Sequence, residues 1–352
     1  MYSLLTRSDA AKSSYLARKA IPIAGGIIAA TASAALVNWW LARKAERRNP
    51  PKGRFIVVDG VRLHYVERGA GTPLILLHGN ESMIEDFQSS GLIDLAAKTY
   101  RVIAFDRPGF GHSERPRDTI WTPEAQAHLI AAALKMIGVP RAIVLGHSWG
   151  TLVALALAEK YPQEVEALVL ASGYYYPNAR ADVMVLSAPA VPLIGDLLSH
   201  TISPLLSRLN WPLFLRKIFG PSPVPEKFKG FPKEMAFRPS QIRASAAESA
   251  LMIPSAHTLR KRYRLLRMPA AIVAGAEDRV IDSEQSALLH RDIPHSTLRC
   301  VPDTGHMVHQ SATGEIMTAI DLVAAPKHEP TVATSAAKSV ERSTPRIRQT
   351  RR

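Results

Sequence analysis

Five apolar runs, each closing on a glycine or a polar residue, constrain this chain more than any other feature. They are TPLILLHG (72–79), RVIAFDRPG (101–109), RAIVLGHS (141–148), ALVLASG (167–173) and AAIVAGAED (270–278), and STLRCV (296–301) reads as a further strand. Continuous apolar runs of this length suit strands buried on both faces. Helical stretches separate them: EDFQSSGLIDLAAK (85–98), TPEAQAHLIAAALKMIG (122–138) and GTLVALALAEKYP (150–162). Strand–helix alternation predicts an α/β fold, a mostly parallel sheet with helices on both faces. RFIVVDGVRLHYVERG (54–69) precedes it and reads as a hairpin around Asp59-Gly60, which adds antiparallel strands at one edge.

The alternation stops after Gly173 and resumes at Met268. Residues 174–267 hold no buried strand run but contain helix-like pieces such as PSQIRASAAESALMI. They are expected to form a helical cap inserted into a core made of 54–173 and 268–325. Residues 326–352 are rich in Pro, Ser, Thr and Arg without hydrophobic periodicity, and read as a disordered basic tail.

The N-terminus has a different character. Residues 20–42 carry no charge over a length that crosses a bilayer as a helix. Trp39 and Trp40 stand near one end, where aromatic rings favour the headgroup region. This predicts a transmembrane helix between a basic segment (1–19) and a linker (43–53). A cleaved signal peptide, with Ala32-Ser33-Ala34 as the site, and a buried or surface-lying helix are the competing readings. Lys and Arg are denser after the span, which favours a cytoplasmic body.

Charge narrows the partners. The net charge is +14, but it is concentrated at the two ends, and residues 55–326 are nearly neutral. That argues against a nucleic-acid-binding face on the body. A single cysteine, Cys300, excludes an internal disulfide and any multi-cysteine metal site.

Open parallel sheets bind ligands beyond the carboxyl ends of their strands. The residues placed there include His78-Gly79-Asn80, Asp106-Arg107, His147-Ser148-Trp149, Glu277-Asp278 and, through Pro302-Asp303-Thr304-Gly305, His306. A serine, an acid and a histidine thus meet at one rim. Serine needs a base to become a nucleophile, imidazole has the pKa for it, and a carboxylate fixes the imidazole tautomer. Gly146 and Gly150 leave room for a sharp strand-to-helix turn at Ser148. Asp278 competes with Glu277 and Asp282 for the acid, and His306 with His309 for the base. His112 and His147 read as structural. The cluster Tyr174–Tyr176 is either cap packing or substrate wall.

From Arg54 to Ala325 the sequence resembles the α/β-hydrolase fold superfamily. The resemblance rests on Gly146-His147-Ser148-Trp149-Gly150, His78-Gly79, Asp106–Ser113, Gly275–Asp278 and Gly305-His306. It implies Ser148 as nucleophile, Asp278 as acid and His306 as base, an oxyanion hole at the backbone N–H groups of Asn80 and Trp149, and a cap at 174–267. The implied chemistry is hydrolysis of a carboxylic ester or related acyl bond of a small to medium hydrophobic substrate, without metal or organic cofactor. Epoxide hydrolases and haloalkane dehalogenases resemble the chain in the His-Gly-Asn stretch and in Trp149, but their nucleophile is Asp. Serine in that slot would give a dead-end ether. Carbon–carbon bond hydrolases, acyltransferases, aminopeptidases and cofactor-free haloperoxidases use Ser and stay open, as does a non-catalytic membrane-tethered binder.

Overall fold

The computed structural model describes residues 5–180, 183 and 186–325, with side chains from Gly25 onward. The tail expected over 326–352 lies outside the described residues. The eight strands are β1 (Arg54–Val58), β2 (Val61–Arg68), β3 (Thr72–Leu77), β4 (Tyr100–Phe105), β5 (Ala142–His147), β6 (Val165–Ala171), β7 (Ala270–Gly275) and β8 (Thr297–Val301). They form one sheet in the order β1-β2-β4-β3-β5-β6-β7-β8. β1 and β2 pair antiparallel, β2 joins β4 antiparallel, and every later pairing is parallel.

The helices begin with α1 (Leu5–Arg48), α2 (Ile84–Ser89), α3 (Leu92–Ala96), α4 (Pro123–Met136) and α5 (Trp149–Lys160). Between β6 and β7 lie α6 (Ile194–His200), α7 (Ser203–Phe219), α8 (Lys233–Ala236) and α9 (Pro239–Leu259). Then come α10 (Glu284–Asp292), α11 (Val308–Ser311) and α12 (Thr313–Ala324). The single helix expected over 85–98 is two, because Gly91 adopts φ 78°, a left-handed conformation that ends α2 and starts α3. α4 opens as its sequence dictates: the Thr122 side chain accepts from the Ala125 N–H and Pro123 occupies the first turn.

Both faces of the sheet are covered, which is why the strands need no polar alternation. Ile75, Phe105 and Val144 pack under α4 and α5 on one side. Leu74, Val102 and Leu145 pack under α2, α3 and α12 on the other. Residues 25–48 of α1 form a helix long and apolar enough to cross a bilayer by length and composition. The helix continues to Arg48, so 43–48 of the expected linker is helical. Its last turns are held by tertiary contacts: Ala45 is buried in a cluster with Ile218, Phe219 and Met235, and Glu46 pairs with Arg238 of the loop before α9 at 3.0 Å.

Candidate active site

The end of β5 turns into α5 through Ser148, whose backbone sits at φ 53°, ψ −120°. A non-glycine residue in that region is strained, and the surroundings hold it there. The Ser148 N–H donates to the Ala171 carbonyl at the end of β6 (2.9 Å). Its own carbonyl accepts from the Thr151 hydroxyl (2.6 Å). The turn is possible because its flanks are glycines. A Cβ on Gly146 would strike the Gly150 carbonyl, and one on Gly150 would collide with the Leu77 carbonyl.

The three residues expected to act together do meet. His306 Nε2 lies 3.0 Å from Ser148 Oγ, and His306 Nδ1 lies 2.7 Å from Asp278 Oδ2. Asp278 Oδ1 in turn accepts the N–H groups of Val280 (2.8 Å) and Ile281 (2.9 Å). These bonds fix the carboxylate and aim its second oxygen at the imidazole. The competing acids are engaged elsewhere. Glu277 accepts the Thr304 N–H, and Asp282 accepts the Glu284 N–H at the start of α10.

Asn80, in the loop after β3, lines the same cavity as Ser148, and Trp149 follows Ser148 as the first residue of α5. Among the described residues neither backbone N–H has an acceptor of its own. The first N–H groups of a helix lack intrahelical partners, so the Trp149 N–H is free to meet a developing negative charge. The Trp149 ring is buried in the core beneath. The Asn80 side chain does something else: Nδ2 donates to the Ser245 carbonyl (3.1 Å) and to Ser249 Oγ (3.2 Å) of α9. It therefore ties the loop after β3 to the helix that roofs the site.

Above Ser148 lies a cavity of about 490 Å³. Trp211, Phe214, Phe228, Phe231, Met252 and Ile281 line it, so its wall is mainly apolar with Ser148 and His306 at its floor. A larger recess of about 770 Å³ opens at the opposite rim, beside Arg141, Pro269 and Ala325, and neither serine nor cysteine lines it. None of Tyr174, Tyr175 and Tyr176 lines the catalytic cavity. The first two are buried, and the third donates from its hydroxyl to Asp292 (2.8 Å), so the cluster is packing.

A second buried group lies behind the serine. His309 Nε2 is 3.0 Å from Asp86 Oδ2, and the His309 ring centroid is 4.2 Å from that of His147. His147 Nε2 lies 3.1 Å from the His306 carbonyl oxygen. The ligand atoms of Asp86, His147 and His309 lie within 4.8 Å of one another, the one set among the described residues with the donors and spacing to hold a cation. Burial disfavours charge on Asp86, but the His309 imidazole and the Gln310 amide outweigh it and hold the carboxyl well below its usual range. Burial, then His309 and His306, keep His147 neutral far below the usual imidazole range. Asp86 has no motif that marks it, and only its place on α2 brings it here. Asp106 is likewise structural: it accepts from the N–H groups of Ile84 and His112 and contacts His64 Nδ1 at 2.7 Å.

Residues 72–312 match the alpha/beta hydrolase fold family. The chain belongs to that family. Its relatives include hydrolytic enzymes. An uncharacterized hydrolase, YugF, of Bacillus subtilis is 28% identical over 265 residues, covering 72% of this chain and 91% of the relative. A 2-hydroxymuconate semialdehyde hydrolase of Pseudomonas putida is 26% identical, covering 74% of this chain and 90% of the relative. Among solved structures, a membrane phospholipase A described as a bacterial virulence factor superposes with a TM-score of 0.61 at 21% identity, over 90% of this chain and 99% of that one. Likeness at that identity speaks to the fold alone.

Proposed function

We propose that this α/β hydrolase is a serine hydrolase that cleaves a carboxylic ester or related acyl bond of a hydrophobic substrate through an acyl-enzyme. The observation that supports this most is the unbroken line from Asp278 through His306 to Ser148 at the floor of an apolar cavity. In this reading the Ser148 hydroxyl attacks the substrate carbonyl while His306 Nε2 takes its proton. Asp278 keeps the Nδ1 proton of His306 facing it and stabilises the imidazolium. The N–H groups of Asn80 and Trp149 hold the oxyanion. His306 then protonates the leaving group, and water, activated by the same nitrogen, releases the acid. The protons in this cycle pass between Ser148, His306, the leaving group and water, so the partners the chemistry needs are a small-molecule acyl substrate and water.

Carbon–carbon bond hydrolysis is the second reading, favoured by the relative that acts on 2-hydroxymuconate semialdehyde. The apolar span in residues 25–48 supports a single-pass membrane anchor, and the denser Lys and Arg after it favour a body on the cytoplasmic side. Labelling with a fluorophosphonate probe tests the mechanism: wild type should label, and Ser148→Ala and His306→Ala should not. Persistent labelling of Ser148→Ala would overturn it. p-Nitrophenyl esters of increasing chain length then measure the acyl pocket against a vinylogous diketone as the carbon–carbon substrate. Membrane fractionation with and without residues 1–45 tests the anchor.

A further inference from the structure

Helix α1 is gripped by the cap where its apolar stretch ends. Asn38 is buried, and its Nδ2 donates to the carbonyls of His200 (2.9 Å) and Thr201 (2.8 Å). Those carbonyls form the corner between α6 and α7. Immediately after Asn38 the rings of Trp39 and Trp40 are exposed. The Arg43 guanidinium lies 5.9 Å from the Trp39 ring and the Lys44 ammonium 4.7 Å from the Trp40 ring. Amphipathic rings next to cations mark the boundary between hydrocarbon and water. The α6–α7 corner is therefore fixed at the level of that boundary.

From this corner α7 carries Leu205, Leu206, Leu209 and Leu213, spaced i, i+1, i+4 and i+8. At about 100° per residue these fall on one stripe. All four are exposed, Leu209 by 66% and Leu213 by 62%. Just before α6, Leu193 is exposed by 83%. Contiguous exposed leucines on a folded body mark an interaction surface. The inner side of α7 supplies Trp211 and Phe214 to the cavity over Ser148. The same two rings line an adjoining cavity of about 320 Å³ that reaches Leu206 and Pro189. One helix thus separates the catalytic cavity from the leucine stripe.

We propose that the leucine stripe of α7 is seated in the bilayer that α1 spans, and that acyl chains reach Ser148 from the lipid through the cavity beside Leu206, Trp211 and Phe214. The catalytic half of this rests on the serine-hydrolase reading, and the seat rests on the membrane anchor proposed for α1, which membrane fractionation tests separately. The bilayer fits as occupant because the stripe starts about one helical turn beyond the corner that clasps Asn38, itself one position from the tryptophan pair, so both apolar surfaces begin near one level. The substrate class that follows is a lipid or other long-chain acyl compound already dissolved in the membrane.

The test uses the full chain in phosphatidylcholine vesicles containing a minority of phosphatidylglycerol. Cys300 is exposed, so a Cys300→Ser background receives Leu209→Cys, or Lys135→Cys on the opposite rim, labelled with an environment-sensitive fluorophore. Nitroxide-bearing lipid should quench the label at 209 and leave the label at 135 bright. An unquenched label at 209, or one quenched only by a second labelled copy, would overturn the seat and assign the stripe to water or to a dimer. In parallel, Leu205→Ser/Leu209→Ser/Leu213→Ser should lose about tenfold or more of its rate on a long-chain ester held in vesicles, yet keep its rate on a soluble butyrate ester within about twofold. Unchanged hydrolysis of the vesicle-held ester would overturn the lipid route. A wild type that cleaves neither ester would overturn the serine-hydrolase reading instead, and the quenching would still decide the seat.

Discussion

Arg107, two residues beyond β4, and Glu248, on cap helix α9, form an ion pair from which water is excluded. Arg107 Nη2 donates to Glu248 Oε2 at 3.0 Å, and neither side chain is exposed. The other donors of the guanidinium are spent on the core: Nε to the His78 carbonyl, Nη2 also to the Gly79 carbonyl and Nη1 to Gln126 Oε1. Gln126 donates back to Glu248 Oε1 (2.9 Å). One arginine therefore couples the cap to the two carbonyls that precede Asn80.

Removing one partner of a buried pair strands the other charge. Glu248→Ala is expected to cost about 3–5 kcal/mol in denaturant unfolding, and Arg107→Met/Glu248→Leu to recover most of that stability. Activity of the double variant should stay low, because the His78 and Gly79 carbonyls lose their anchor. A Glu248→Ala variant as stable as wild type would show that the pair does not hold cap to core.

Asp278→Asn separates position from chemistry. The asparagine Oδ1 can still accept from Val280 and Ile281, so the loop keeps its shape. Its amide then faces His306 Nδ1 as a donor and selects the wrong imidazole tautomer. The expected fall in kcat is on the order of 10⁴ with an almost unchanged melting temperature. A loss below about tenfold would remove Asp278 from the mechanism.

Much of this site could be read in the sequence because Ser148, Asp278 and His306 each follow a strand in a parallel sheet, so their meeting needs only the strand order. Glu248 could not be read, since it pairs with a residue 141 positions away and its helix pattern looks like any amphipathic segment. Asp86 and His309 also escaped. In the sequence His309 stands only as a rival of His306 for the base, and nothing near Asp86 signals that α2 points it inward. The charged residues 43–48 resembled a linker because the contacts that make them helix, Ala45 in the cap cluster and Glu46 on Arg238, are tertiary.

In the proposed mechanism Asn80 offers a backbone N–H to the oxyanion, while its side chain is bonded to α9. Asn80→Ala keeps the first and deletes the bonds to Ser245 and Ser249. The expected effect is a fall of about tenfold or less in kcat, with a larger change in KM as the roof loosens. Loss of a true oxyanion donor costs about 10²–10³ in kcat. Steady-state kinetics on a soluble ester distinguish the two, and a fall of that larger size would make the side chain the donor.

Glu85 gives the chain a pH dependence that is separate from catalysis. It sits in the first turn of α2, largely buried, and its Oε2 has no hydrogen-bond partner among the described residues. Burial first, and then the nearby Asp106 carboxylate, push its pKa up to about 7 from an ordinary 4.5. A carboxyl with a raised folded pKa binds more protons folded than unfolded, so stability falls as pH rises from about 4.5 to about 7. Below that window the group is neutral in both states, and above it the penalty is complete. Glu85→Gln keeps the shape and removes the titration. The variant should match wild type near pH 4 and exceed it above pH 7 by up to roughly 3 kcal/mol. Urea unfolding of both proteins at intervals across that range measures the difference directly. A gap that stays constant with pH would show that Glu85 titrates alike in the folded and unfolded chains.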